Sequence, residues 1–139
     1  MSNFVVFVFA QKNGKPVEDL LAPFNENMGV KPYIMYNPNS KWDHWSIGGR
    51  WNSCITKLNG KPTNQAYVKD INWENSIIPL AFVTPNGEWH ELGEMGIGEM
   101  APYEKVYQDW EAEFKNYVAD LDEDTIVTVV DCNIELPAE

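Results

Sequence analysis

The chain has 139 residues, the size of one domain, and its 44% apolar content excludes a disordered chain. Its formal net charge of −11 at pH 7 argues against direct nucleic-acid binding, which depends on Lys and Arg neutralising phosphates. Six tryptophans are many for this length, and such rigid side chains either fill a core or line a binding surface.

The first predicted element is a strand over residues 4–10. The run is continuously apolar, with β-branched and aromatic residues, which is typical of a central strand buried on both faces. It is too short for a signal peptide or a membrane span, so we expect a cytoplasmic protein with no membrane partner. Cys54 and Cys132 form no CxxC pair and are expected to be reduced thiols.

A helix is predicted after the Asn13-Gly14 turn. Pro16 suits the first helical position, and Pro23 conflicts with a regular second half because proline lacks the N–H that a helix needs. We therefore expect the helix to become irregular near Pro23. The apolar positions with helical spacing are Val17, Leu20, Leu21, Phe24 and Met28.

The middle of the chain predicts an excursion followed by short strands. Two prolines mark residues 30–45 as a long connection, and strand signals return over residues 45–58 before the Asn59-Gly60 turn. A further strand is predicted over residues 77–84. A turn at residues 85–87 then leads into a short returning strand.

Pro102 precedes the clearest helical pattern, in which apolar residues from Tyr103 to Leu121 form one stripe. A β-branched strand follows over Thr125–Val130. The order strand, helix, strands, helix, strand is that of a ferredoxin-like split βαβ fold with an elaborated middle. We therefore expect one α+β domain, with an antiparallel sheet and both helices on one face.

The negative charge is concentrated in the last third of the sequence. Residues 1–87 carry a net charge of +2, whereas residues 88–139 carry −13. Such a region suits a partner with a basic surface, although solubility also explains exposed acidic residues. The candidate protein-binding residues are Glu104, Asp109, Glu111, Glu113, Asp120, Asp122, Glu123 and Asp124.

Residues 41–52 combine three tryptophans, a Gly-Gly pair and Arg50. In a ligand-binding interpretation, Gly-Gly admits a ligand close to the backbone, Arg50 holds a phosphate or carboxylate, and an indole stacks on a base. In a structural interpretation, Gly-Gly forms a bulge, the tryptophans pack and Arg50 pairs with Asp43. We favour structure for Trp51 and function for Arg50. The candidate ligand-binding residues are Trp42, Asp43, His44, Trp45, Gly48, Gly49, Arg50 and Trp51.

Three glycines at positions 93, 96 and 98 predict a tight loop before the long helix. A helix N-terminus attracts anions, but Glu91, Glu94 and Glu99 oppose that use. A loop that shapes the fold is therefore favoured.

The sequence predicts no enzyme, metal site or cofactor. His44 and His90 lack the context of an acid–base pair, and together with Cys54 and Cys132 they lack zinc-site spacing. Ser46 lies outside a Gly-x-Ser-x-Gly motif.

Trp-Asp-x-Trp-x-Ile-Gly-Gly-Arg-Trp at residues 42–51, Gly-Glu-Trp at 87–89 and Gly-Glu-Met-Gly at 93–96 resemble a family of small proteins from bacteriophages, prophages and mobile elements. The Gly-Gly-Arg-Trp-Asn core is also similar to a motif of plasmid-borne proteins with a ferredoxin-like domain. The first resemblance implies an inhibitor of a host defence or regulatory protein. The alternative that it implies is a module that sequesters a nucleotide-like signal.

Overall fold

The computed structural model describes residues 2–24, 27–28, 35–36, 42, 44–91 and 103–134. Asp43, Pro102 and the glycine loop at residues 93–98 lie outside the described residues, as do the side chains of residues 103–106. The α-helices are α1 (Val17–Leu21) and α2 (Tyr103–Ala119). The strands are β1 (Ser2–Ala10), β2 (Asn27–Met28), β3 (Met35–Tyr36), β4 (His44–Ile47), β5 (Ile55–Thr56), β6 (Pro62–Thr63), β7 (Gln65–Tyr67), β8 (Ala81–Val83), β9 (Trp89–Glu91) and β10 (Ile126–Ile134).

A mixed sheet with β1 near its centre organises the described residues into an α+β fold. The strand order is β4-β10-β1-β8-β9, and β7 also pairs with β10. β1 pairs antiparallel with β10 along its whole length, from Ser2 opposite Ile134 to Ala10 opposite Ile126. The predicted central position of β1 is therefore confirmed.

The prediction of an antiparallel sheet is wrong on the side of β1 that faces away from β10. There β8 runs parallel to β1, with Val6 opposite Ala81 and Val8 opposite Val83. A split βαβ arrangement separates its two parallel strands with a third strand, whereas here they are neighbours, so the ferredoxin-like arrangement is not confirmed. The segment between β1 and β8 is long enough for the crossover that parallel neighbours require.

The two helices lie on opposite faces of the sheet, so the expectation of both on one face is also wrong. Alternate residues of a strand point to opposite faces, and β1 is apolar on both. Because both faces must be buried, each needs its own covering layer. The face toward α2 carries Val5, Phe7 and Phe9 against Trp110 and Phe114. The face toward α1 carries Val6, Val8 and Ala10 against Leu20 and Leu21.

The predicted change of geometry at the end of α1 is confirmed. The α-helix ends at Leu21 and continues as a 3₁₀ turn over Ala22–Phe24. Pro23 has no N–H to donate to a preceding carbonyl, which is why the regular helix stops before it. Leu20 and Leu21 remain buried and anchor this short helix on the sheet.

The long helix and the strand after it also follow the prediction. Trp110 and Phe114 of α2 are fully buried, and the indole Nε1 of Trp110 donates a hydrogen bond of 2.8 Å to the carbonyl of Pro79. β8 begins later than predicted, at Ala81, since Pro79 cannot donate a ladder hydrogen bond. Within the part of the chain that the structure describes, no helix has the length and apolar character needed to cross a membrane.

One edge of the sheet is interrupted by a long excursion. β4 and β7 both pair antiparallel with β10 on the same side. Between them Val129 accepts a hydrogen bond of 2.9 Å from the N–H of Gly48 and donates one of 2.8 Å to the carbonyl of Asn64. Residues 48–64 therefore leave the sheet opposite Val129 and return to it, carrying the Gly-Gly-Arg sequence with them.

Candidate functional site

Trp42 is part of the core that covers the α1 face. It is 7% exposed, and its Nε1 donates a hydrogen bond of 2.9 Å to the carbonyl of Leu21 at the end of α1. The carbonyls at the end of a helix lack partners within the helix, so the indole satisfies one of them. Trp42 therefore has a structural role. For this residue, the structural interpretation of the motif holds rather than the ligand-binding one.

The other two tryptophans of the motif are half-buried and lie in different layers. Trp45 packs against the α1-side core, whereas Trp51 packs against the α2-side core. The Nε1 atom of Trp51 is buried and has no hydrogen-bond partner among the described residues. Because the indoles are distributed over both faces of the sheet, they do not form one stacking surface.

The Gly-Gly pair brings the backbone close to Asp131 of β10. Gly48 and Gly49 have φ angles of +72° and +52°, which side-chain-bearing residues rarely adopt. A Cβ atom on Gly49 would lie 2.6 Å from Oδ2 of Asp131 and 2.7 Å from Oγ of Ser46. The following N–H, that of Arg50, donates a hydrogen bond of 2.8 Å to the same Oδ2 atom.

Asp131 is a buried carboxylate that the sequence interpretation missed. It is 8% exposed, and its Oδ1 accepts a hydrogen bond of 3.1 Å from Nδ2 of Asn3. A buried carboxylate needs donors, and the Gly-Gly-Arg turn supplies one from its backbone. An acidic residue inside the β-branched final strand was the available signal, because acidic residues are seldom buried without partners. The turn thus has a sufficient structural explanation.

The structural role of the turn does not involve the side chain of Arg50. Its backbone N–H is held by Asp131, while its side chain is exposed. His44 and Ser46 of β4 are also exposed. The proposed pairing of Arg50 with Asp43 lies outside the described residues, and the ligand-binding hypothesis now depends on Arg50 and its exposed neighbours.

The two histidines lie far apart in the fold, and the two cysteines lie on opposite sides of the sheet. His44 is on β4 and His90 on β9, at opposite ends of the strand order, which separates them by about 19 Å at normal strand spacing. Cys54 packs with the α2-side core and Cys132 lies in the α1-side core, both as free thiols. Among the described residues, no group of three His, Cys, Asp or Glu side chains is placed to hold a metal ion.

The candidate acidic residues occupy two flanks of α2 and the turn after it. Asp109 and Glu113 share one stripe of the helix, since a spacing of four residues is helical, and Asp120 follows directly after the end of α2. Glu111 lies on the other flank, where its Oε1 is 3.6 Å from Nζ of Lys115. Glu104 belongs to α2, but its side chain lies outside the described atoms.

A groove of about 460 Å³ lies beside the first of these flanks, between α2 and the turn before β9. We call it the acidic groove; the described residues that line it include the carboxylates Glu88, Asp120 and Asp122 and the rings of His90 and Tyr117, and none of these described residues is a Lys or Arg. Burial, and then the charge of Glu88, raise the pKa of the Tyr117 hydroxyl to about 12. The three carboxylates give the described part of the groove a negative potential that no described Lys or Arg in its lining offsets.

The end of α2 adds to this potential. Its last turn contains no basic residue, and the exposed residues Asp120, Asp122, Glu123 and Asp124 follow. The C-terminus of a helix carries a partial negative charge, so an acidic residue there typically costs about 0.3–1 kcal/mol. This charge arrangement lowers stability.

The fold and these surfaces define an α+β protein in which a mixed sheet separates two helical layers. Comparison with protein-family models, with curated proteins and with solved structures finds no match for this chain. Its function is therefore inferred from the geometry of the described residues.

Proposed function

We propose that this protein is a non-enzymatic binding protein whose acidic groove attaches to a basic surface of a partner protein. The observation that carries the proposal is the presence of three carboxylates in one groove whose described lining residues include no Lys or Arg. A Lys ammonium or Arg guanidinium of a partner supplies the missing positive charge and forms charge-assisted hydrogen bonds with these carboxylates.

The acidic end of α2 supports the same proposal. Four acidic residues follow the negative end of the helix dipole, where basic residues stabilise and acidic ones destabilise. A bound cationic surface reverses this unfavourable interaction. Solubility alone does not require that acidic residues lie at the helix end where they cost the most.

The resemblance of the 42–51 motif to phage and mobile-element proteins gives the proposal a target class. The partner is then a host defence or regulatory protein in the bacterial cytoplasm, and the acidic surface acts as its inhibitor. A basic surface on such a protein is common where it holds nucleic acid.

Native mass spectrometry of the tagged protein, recovered gently from bacterial lysate, tests this proposal. We expect a stoichiometric second polypeptide that dissociates as the salt concentration rises, because ion pairs at a surface are screened. The variant with Glu88→Gln and Asp120→Asn should lose it. The matched control with Glu18→Gln and Asp19→Asn removes equal charge from α1, on the opposite face, and should keep it.

Two results would contradict the proposal. One is a complex whose affinity is equal at low and high salt. The other is a groove variant that retains the polypeptide as well as the α1 control does.

The alternative is a module that binds a nucleotide or another small anion through the 42–51 segment. The observation in its favour is the exposed side chain of Arg50 on a turn whose backbone is fixed by Asp131. In the same mass spectrum this function predicts a small bound molecule that is absent from Arg50→Ala. A correctly folded Arg50→Ala protein that keeps the small molecule would rule it out.

A further inference from the structure

A second groove lies on the other flank of α2, against the 3₁₀ turn Trp73–Asn75. It consists of two adjoining hollows of about 210 and 290 Å³ that share Trp73, Glu74, Ile78 and Lys115. We call the pair the apolar groove. In the first hollow the walls are mostly hydrocarbon, from Trp73, Ile78, Phe114 and Val118.

The size of the first hollow restricts what it can hold. An apolar cavity of about 150 Å³ in a protein accepts benzene, whereas small-molecule sites usually measure about 300–1,000 Å³. A hollow of about 210 Å³ therefore matches one large apolar side chain better than a whole cofactor.

The rim of the apolar groove carries ion pairs in which one Lys faces two Glu residues. Nζ of Lys115 lies 3.8 Å from Oε1 of Glu74 and 3.6 Å from Oε1 of Glu111. Among the described residues of the rim, two carboxylates thus share one ammonium group, and the sum of these three charges is negative. Exposed ion pairs of this kind contribute little to stability. A partner's Lys or Arg can therefore take the place of Lys115 beside these carboxylates at a low cost in free energy.

Exposed apolar residues continue from the groove along the segment that leads to β8. Ile77, which lines the second hollow, is 37% exposed, and Leu80 is 39% exposed. They are two of the four large apolar residues found exposed in the described part of the chain. Clustered exposed apolar surface with a polar rim is typical of a contact site for another protein.

We infer that the apolar groove holds one large apolar side chain of a partner protein, in a segment where Lys or Arg residues flank that side chain. This inference rests on the proposed function and extends it, because the acidic groove and the apolar groove lie on the two flanks of α2. A helix with its side chains is about 10 Å across, so one partner surface can reach both. The apolar side chain provides a buried anchor and the basic residues pair with Glu74 and Glu111.

Panning of a random dodecapeptide library displayed on phage tests the inference without a known partner. We expect the enriched peptides to share one large apolar residue flanked by Lys or Arg. Methyl NMR of the complex with a synthetic copy of the best peptide should show shifts at Ile78 and Val118, which line the groove.

Ala119→Trp provides the matched test of the anchor. Ala119 is an exposed residue of the groove wall, so an indole there fills the hollow without disturbing the core. The synthetic peptide should bind this variant about thirtyfold more weakly, the usual loss for one buried anchor. Ala22→Trp makes the same change at an exposed position after α1, on the opposite face, and should bind normally. Circular dichroism of both variants checks that they fold.

The outcomes separate the inference from the function on which it rests. Enriched peptides that are basic but share no apolar residue, and that bind Ala119→Trp normally, would overturn the inference and leave the proposed function standing. Apolar peptides without Lys or Arg, bound equally at low and high salt, would also overturn the inference, whereas the proposed function fails only if the Glu88→Gln and Asp120→Asn variant keeps its partner polypeptide or the complex is insensitive to salt. A library that yields no enriched sequence would overturn the inference.

Discussion

Replacing Gly49 with alanine tests whether the Gly-Gly-Arg sequence is a structural device for Asp131. The added Cβ enters a left-handed conformation, which costs an L-residue roughly 1–2 kcal/mol. It also lies 2.6 Å from Oδ2 of Asp131, so the carboxylate must move away from the N–H of Arg50. A hydrogen bond to a charged group contributes about 1.5–3 kcal/mol, and the free energy of unfolding should therefore fall by about 2.5–5 kcal/mol.

Gly60→Ala is the control for the backbone contribution. Gly60 also has a positive φ, +87°, but no atom lies within 4 Å of the position that a Cβ would take. This substitution should cost only the conformational part, about 1–2 kcal/mol. The difference between the two variants measures the contacts of the added Cβ with Asp131 and Ser46.

Urea unfolding followed by tryptophan fluorescence gives both free energies by linear extrapolation. In an Asp131→Ala background the Oδ2 contact and the hydrogen bond from Arg50 are both gone, whereas the contacts of 2.7 Å with the Cβ of residue 131 and with Oγ of Ser46 remain. Gly49→Ala should therefore cost less there than in the natural background, but still more than Gly60→Ala does. Equal losses for the two glycine variants in the natural background would refute the reasoning, because the contact would then contribute nothing.

Three further predictions concern single groups. Trp42→Phe leaves the buried carbonyl of Leu21 without its donor, and urea unfolding should show a loss of about 1–3 kcal/mol. Arg50→Ala should change stability by less than about 0.5 kcal/mol, since the Arg50 side chain is exposed and its backbone N–H, which bonds to Asp131, is kept by alanine; a variant that fails to fold contradicts this. Burial raises the pKa of Cys54 from 9.0 to about 11 and that of Tyr117 from 10.0 to about 12. The folded state therefore holds these protons more tightly than the unfolded state. Their contribution to stability is complete below about pH 9 and is lost as the pH rises. Urea midpoints that stay constant into this alkaline range would contradict the predicted fall in stability.

Local sequence signals predicted most of the individual elements. The apolar stripe of α2, the two-sided run of β1 and the turn at residues 85–87 all depend on neighbours in the chain, and each is present. The change of geometry near Pro23 is local for the same reason. Such elements are predictable because their energetics are decided within a few residues.

The arrangement of the elements was less predictable. The apolar run of β1 implied burial on both faces, which requires a helical layer on each face, yet the strand-helix order suggested one layer. The parallel pairing of β1 with β8 depends on the route of the intervening chain. No local pattern encodes that route.

The contact between Asp131 and the Gly-Gly-Arg turn illustrates the same limit at the candidate site. Arg50 and Asp131 are 81 positions apart, and only the register of β4 on β10 brings them together. From the sequence alone, Gly-Gly next to an arginine was as compatible with a ligand-binding turn as with a structural bulge. The acidic groove likewise combines residues of α2 with the turn before β9.

The broken edge beside β10 has a consequence for how the protein behaves in a crowded solution. β10 is nine residues long, but the strands on its outer side have only four and three residues. A long, continuous edge strand is a template on which a foreign strand can add, the first step of aggregation. Here the chain leaves the sheet opposite Val129. The backbone carbonyl and N–H of Val129 are already bonded to Gly48 and Asn64. An incoming strand would meet two short segments with residues 48–64 projecting between them, which protects this edge of the sheet from association with another strand. The same break allows this excursion to change in length while the register of β10 on β1 stays fixed.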